Sequence, residues 1–264
     1  MTALAKATCP SQSDVVEVIN PSGKGDFLLV CEHASRFIPP EFQNLGLKED
    51  VLHSHVAWDP GALGVAEEMS AHLDAPLVAQ RISRLIYDCN RPPESDGAMP
   101  ARSEVFDIPG NVDLSPAQQQ ARIDQYYIPF QQTLKAQLDR HIAEVLPPVL
   151  ITIHSFTSTY HGVARDFDIG ILHDSDNRFA DELLSSLSSE SDYKTCRNEP
   201  YGPADGVTHT LVEHALPRGL MNVMIEIRND IIATPESQKK MAIMLSRHVT
   251  DVLAGLRARV EETQ

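Results

Sequence analysis

Val149-Leu-Ile-Thr-Ile-His154-Ser155 decides the reading of this chain. The run Val149–Ile153 is nearly all apolar, short for a helix and lacking polar alternation, so it predicts a strand buried on both faces. It runs directly into His154. Phe27-Leu-Leu-Val-Cys31 repeats the pattern and continues into Glu32, His33, Ala34 and Ser35. Asp168-Ile-Gly-Ile-Leu172 and Asn222-Val-Met-Ile-Glu-Ile227 predict two further strands. Helices fall between them. Asp59-Pro60 offers a capping carboxylate before a proline at the first helical position, with Leu63, Ala66, Met69 and Leu73 at helical spacing behind it. Ser115-Pro-Ala-Gln118 is a capping box that opens a long helix, with a kink expected at Pro129. Thr234-Pro235-Glu236 opens the last helix, whose Met241, Leu245, Val249, Val252 and Leu256 form one apolar stripe. This alternation predicts an α/β protein: three α/β/α layers around a mixed, largely parallel sheet.

The 264 residues suit one large domain, and no linker or repeat divides them. A polar N-terminal arm is expected over residues 1–24 and a single domain over 25–264. Lys and Arg number 22 against 37 Asp and Glu, a net charge of −15, which speaks against nucleic acid or an anionic membrane surface as partner. No run reaches the 18 apolar residues of a membrane span. The polar opening stretch lacks a secretory apolar segment, and Cys9, Cys31, Cys89 and Cys196 show no paired spacing. Together these predict reduced thiols and a cytoplasmic location.

In an open α/β sheet, sites form beyond the carboxyl ends of the strands. Two of the predicted strands end in a histidine. One histidine alone reads best as a hydrogen-bonding cap. Two at equivalent positions, His33 and His154, favour a shared metal, and catalytic zinc takes three protein ligands with one position open. No cysteine pattern supplies the third ligand, which leaves Asp59, with Glu32 as the competitor on the opposite strand face. Arg81, Arg84 and Arg91 lie within eleven residues of an acidic chain. Arg84, Asn90 and Arg91 are candidates for gripping a substrate carboxylate, against the plainer reading of an Arg84–Asp88 ion pair. Glu226 and Arg228 share one face of an apolar strand. Either they pair, or Glu226 is a general base and Arg228 joins the substrate-binding set. Cys31 reads as an inert buried thiol.

Cys31-Glu-His-Ala-Ser35, Ala57-Trp-Asp-Pro-Gly-Ala62, Ser83-Arg-Leu-Ile-Tyr-Asp-Cys-Asn-Arg91, Ile153-His-Ser-Phe-Thr157, Asn198-Glu-Pro-Tyr201 and Ile225-Glu-Ile-Arg-Asn-Asp230 together resemble the N-formylglutamate amidohydrolase family, in order, from Phe27 to Asp230. The resemblance implies a phosphorylase/hydrolase-like, zinc exopeptidase-like fold. It also implies hydrolysis of N-formyl-L-glutamate to formate and L-glutamate at the end of histidine degradation. Asn90-Arg91 looks like the Asn-Arg pair with which related zinc carboxypeptidases hold a substrate carboxylate. Their HxxE ligand motif is not kept, since His33-Ala34-Ser35-Arg36 ends in arginine. The expected cofactor is one Zn2+ on His33, Asp59 and His154, and the expected partner is a small carboxylate-bearing substrate. The alternatives are another zinc amidase or carboxypeptidase-like hydrolase, or a non-catalytic binder of acidic metabolites.

Overall fold

A computed structural model describes residues 15–262. Its centre is a sheet of seven strands: β1 (Val16–Ile19), β2 (Phe27–Cys31), β3 (Leu77–Gln80), β6 (Val149–Phe156), β9 (Ile169–Leu172), β10 (Thr195–Arg197) and β11 (Asn222–Arg228). They lie in the order β1-β3-β2-β6-β11-β9-β10. Two short hairpins lie outside the sheet, β4 (Arg102–Ser103) with β5 (Phe106–Asp107), and β7 (Thr159–Tyr160) with β8 (Val163–Ala164). The pairs β2–β3, β2–β6, β6–β11 and β9–β10 are parallel, whereas β1–β3 and β9–β11 are antiparallel. The sheet is therefore mixed and largely parallel, with helices on both faces. The first strand departs from the expected N-terminal arm: Val16–Ile19 is an edge strand, and Val15 and Val16 are buried. Only 1–14 of that arm lie outside the described residues.

Period-two alternation sorts the central strands into two cores. Phe27, Leu29, Ile151, Ile153, Val223, Ile225 and Ile227 face one layer, made of α1 (Ala62–Leu73), α3 (Arg178–Glu190) and α4 (Pro235–Glu261). Leu28, Val30, Leu150 and Met224 face the other, where α2 (Ile128–Glu144) lays down Phe130, Leu134 and Leu138. At full burial each such aliphatic side chain contributes about 1.5–3 kcal/mol, which fixes the register. Carried one step further along the strands, the α2-side alternation reaches Glu32, His154 and Glu226. The sheet thus delivers polar groups to one end of its second core.

Two predicted details gain structure. Pro129 sits just after a π-helical turn, Ile123–Tyr127, which breaks the regular helical ladder where the residue without an N–H donor enters. Asp59 does not cap α1, which begins at Ala62 behind Gly61 and has no side-chain cap. Gly61 takes φ +83°, and a Cβ there would meet the Ile232 carbonyl oxygen at 2.5 Å. This turn carries the chain from Asp59 into the helix, and it leaves the Asp59 carboxylate wholly free for other partners.

Candidate active site

β2, β6 and β11 lie side by side, with Glu226 in register with His154. His33 follows directly on β2, and the Asp59 backbone N–H donates to the His33 carbonyl at 3.0 Å. Three ligand-type atoms converge here. His33 Nδ1 is 3.3 Å from Asp59 Oδ2, His154 Nδ1 is 2.9 Å from the same oxygen, and the two Nδ1 atoms are 3.2 Å apart. The Ser155 backbone N–H donates to that oxygen at 3.2 Å and fixes it.

The outward-facing ring nitrogens face carboxylates as well. His33 Nε2 is hydrogen-bonded to Asp88 Oδ1 at 2.7 Å, and His154 Nε2 lies 3.1 Å from Glu32 Oε2 as an ion-pair contact without hydrogen-bond geometry. A carboxylate facing Nε2 keeps the ring proton on that nitrogen and turns the Nδ1 lone pair inward. Two inward lone pairs and a carboxylate oxygen form the donor set of a cation. Tetrahedral ligands about 2.0–2.1 Å from zinc lie about 3.3–3.4 Å apart, close to the observed edges. Charge balance agrees. Glu32, Asp59, Asp88 and Glu226 are each 4 % exposed or less, and among the described residues the arginine that pairs with them is Arg84. With neutral imidazoles that sums to −4 + 1 = −3, or −2 with Glu226 protonated. A divalent cation offsets it. His33, Asp59 and His154 are thus a buried group able to hold a metal ion.

Burial opposes charge on every one of these groups, and the neighbours decide the outcome. For Asp59, facing both histidines, and Asp88, facing His33 and Arg84, the neighbours win and the carboxyls stay below their ordinary range. Glu32 is lowered against burial by His154, whose own pKa Glu32 and Asp59 raise well above its ordinary value. Glu226 differs. Burial, with a contribution from Asp59, prevails over His154 and pushes it up to about 7, and its Oε2 has no hydrogen-bond partner.

These shifts set a pH dependence for protein stripped of metal by a chelator. His33 and His154 bind protons more tightly folded than unfolded, so their stabilisation is full below 6.5 and lost as pH rises through the folded values. Glu226 acts in the same direction between 4.5 and about 7, since its proton must leave a buried carboxyl. The gap in melting temperature between metal-loaded and chelated protein is expected to widen from about pH 6 to about pH 8, because the metal competes with the same protons. His141, His209, His214 and His248, whose burial lowers their pKa values, gain stability with rising pH in both forms alike and cancel from the gap. Thermal melts across this range, with and without metal, measure it. A gap that narrows as pH rises contradicts the assignment.

A cleft of ≈170 Å³ opens onto the cluster, lined among others by His33, Asp59, Arg84, Asn90, Arg91, Tyr201 and Glu226. Glu104, on the β4–β5 hairpin, ties its rim: it pairs with His55 at 2.9 Å and accepts the His161 N–H of the β7–β8 hairpin at 3.0 Å.

The predicted site residues fall out unequally. Asp59, not Glu32, meets the Nδ1 atoms; Glu32 backs His154 from behind. Arg84 lines the cleft while paired with Asp88 at 3.0 Å and Asp59 at 3.4 Å, so its ion-pair reading and its place on the cleft wall coexist. Asn90 lines the cleft with its amide already committed, donating to the Val207 carbonyl and accepting from the Thr210 N–H. Arg91 lines it with one N–H on the Asp205 carbonyl. Arg228 does not line it. The guanidinium is held by Asp168, Asp230 and the Phe167 carbonyl, and it pairs with neither Glu226 nor the cleft. Sequence reasoning missed Asp88 as a histidine partner, and it missed Tyr201 on the cleft wall and Arg165 packed behind it. Only the Asn198–Tyr201 motif hinted at Tyr201.

Fold and site define an α/β protein with a His–Asp–His cluster and a buried carboxyl of raised pKa at the carboxyl ends of parallel strands. The chain belongs to the N-formylglutamate amidohydrolase family, a family of hydrolases whose model matches residues 25–233. It is similar to the crystal structure of gene product Atu2144 from Agrobacterium tumefaciens, at 51 % identity and TM-score 0.91, over 93 % of this chain and 97 % of that one. The fold is also that of an N-formylglutamate amidohydrolase from Ralstonia eutropha JMP134, at 20 % identity and TM-score 0.59, over 92 % and 99 % of the two chains. No functionally curated protein matches the sequence. Among the described residues no helix is long and apolar enough to cross a membrane.

Proposed function

We propose that this protein is a zinc-dependent amidohydrolase that cleaves the amide of an N-acylated amino acid, with N-formyl-L-glutamate as substrate and formate and L-glutamate as products. The observation that carries this reading is the triangle of His33 Nδ1, Asp59 Oδ2 and His154 Nδ1 beside an unpartnered Glu226 carboxyl. His33, Asp59 and His154 hold the ion. When bound, zinc supplies Lewis acidity, which makes water a nucleophile near neutral pH and polarises the amide carbonyl.

The chain's own residues do the rest. Glu226 removes a proton from the attacking water as its oxygen bonds to the formyl carbon, and returns it to the nitrogen as the C–N bond breaks. A carboxyl with a pKa of about 7 suits both halves of that transfer. Arg91 binds a substrate carboxylate through its guanidinium fork. Asn90 fixes the loop that presents Arg91. Arg84 keeps Asp59 and Asp88 ionised and aligned, so that His33 retains its inward lone pair. With that substrate the reaction belongs to histidine degradation.

Elemental analysis and a panel of N-formyl and N-acetyl amino acids test the reading together. The expected result is close to one zinc per chain and fastest turnover of N-formyl-L-glutamate, abolished by a chelator and restored by zinc. Full activity in metal-free protein overturns the metal, and a preferred substrate without an N-acyl group overturns the reaction.

A further inference from the structure

Of the arginines near the cleft, Arg84 is already neutralised by Asp59 and Asp88. Among the described residues, no carboxylate oxygen lies within 4.0 Å of the Arg91 or Arg165 guanidinium. Arg91 has a role in catalysis as a carboxylate anchor. Arg165 has none. It is half-buried just past the β7–β8 hairpin, in a chain with 37 acidic residues, where an unpaired cation is costly to keep.

The surroundings of Arg165 hold its charge without cancelling it. The guanidinium carbon lies 4.6 Å from the ring centre of Tyr160, 5.1 Å from Tyr201 and 5.6 Å from Phe156. All three rings line the cleft, and Arg165 stands directly behind them rather than on the lining itself. Aromatic faces orient a guanidinium and shield it from water while leaving its N–H edge for an anion. Two of its hydrogen bonds go to neutral acceptors, the Thr157 carbonyl at 3.4 Å and the Tyr201 hydroxyl at 3.2 Å. Because Tyr201 accepts there, its own proton is free to donate. Burial, with Glu226 nearby, raises the Tyr201 pKa, so the hydroxyl stays protonated at neutral pH.

Resting on the amidohydrolase reading, we propose that Arg165 and the Tyr201 hydroxyl form a subsite for a second substrate carboxylate, the side-chain carboxylate of an N-acyl acidic amino acid. The Tyr201 hydroxyl, on the cleft wall, donates to that carboxylate, and the Arg165 guanidinium bonded to it from behind supplies the compensating charge, while Arg91 takes the α-carboxylate. Two arginines without protein carboxylates then match the two carboxylates of an N-formylglutamate-like substrate.

The competing explanation is a clasp that merely pins the hairpin to the Asn198–Tyr201 loop. The acid N-formyl-L-glutamate and its side-chain amide, N-formyl-L-glutamine, separate the two. The ratio of their kcat/KM values is expected to favour the acid and to fall at least about tenfold in Arg165→Gln, through a higher KM for the acid. Tyr201→Phe should lower the ratio by less, and Arg165→Lys should restore part of it. Equal losses for acid and amide, or an unchanged ratio, overturn the subsite. Should neither compound be turned over, the amidohydrolase reading fails, and titration calorimetry of the zinc-loaded protein with glutarate and with its monoamide still decides the subsite. Tighter binding of glutarate that disappears in Arg165→Gln supports it. Equal binding of the two probes, or a glutarate preference that survives the substitution, overturns it.

Discussion

Replacing Glu226 with glutamine is expected to lower kcat by roughly 10²-fold or more while metal content stays at its wild-type value. Glutamine keeps the shape of the side chain and its place on β11, opposite His154. What it removes is the group we propose takes and returns the proton. The carboxyl suits that role because it is buried, its Oε2 is unpartnered, and its pKa stands at about 7. Activity should rise with pH as the carboxyl ionises. A divalent ion beside it favours the charged form, so the acid limb of the loaded enzyme belongs below that value. Steady-state kinetics, elemental analysis and melting temperature on the same preparation distinguish the outcomes. Wild-type kcat in Glu226→Gln sinks the general-base role. Loss of activity together with loss of metal makes Glu226 part of the ligand shell. A structural role for Glu226 would instead show as instability, and the geometry argues against one, because Arg228 is engaged by Asp168 and Asp230.

The part of this fold that was legible in the sequence is the part governed by local periodicity. Phe27–Cys31 is a strand with the expected ends, and Val149–Ile153 is the core of a strand that continues to Phe156. The reason is direct: a run buried on both faces has no polar alternation to confuse with anything else. His33, His154 and Glu226 were legible for the same reason, as polar residues where such runs end. Asp59 was the hard case. Asp before Pro ordinarily caps a helix, and only the left-handed Gly61 turn, forced by contact with Ile232 far along the chain, shifts the helix start to Ala62. Contacts of that range leave no local trace. The same limit hid β1, whose place at the sheet edge is set by pairing with β3. It hid Asp88 and Glu32 as histidine partners, and it hid Arg165, which meets Tyr201 only after the chain has passed through β9, α3 and β10.

Asp59→Asn is expected to lose most of its metal, with affinity falling by at least about the 10–100-fold that even outer partners of metal ligands command. Asparagine is nearly isosteric, so the Gly61 turn and the helix behind it have no reason to change. The substitution acts on charge and on the chemistry of one atom. Asp59 Oδ2 closes the triangle with the two Nδ1 atoms and accepts the Ser155 N–H, while Oδ1 faces Arg84 at 3.4 Å. An amide can put its oxygen toward Ser155 only by turning its NH2 toward the Arg84 guanidinium, donor against donor. The opposite flip satisfies Arg84 and aims an NH2 at the histidines, where the proposed metal would bind. Neither orientation restores the anionic ligand. Glu32→Gln is the informative companion, because it leaves the triangle intact and disturbs only the partner of His154 Nε2. It should weaken metal binding while still reaching full occupancy at higher zinc. Competition titrations with a chromophoric chelator rank the two variants. The reverse ranking, with Asp59→Asn fully loaded and Glu32→Gln empty, would make Glu32 the third ligand and reduce Asp59 to a bridge between the histidines and Arg84.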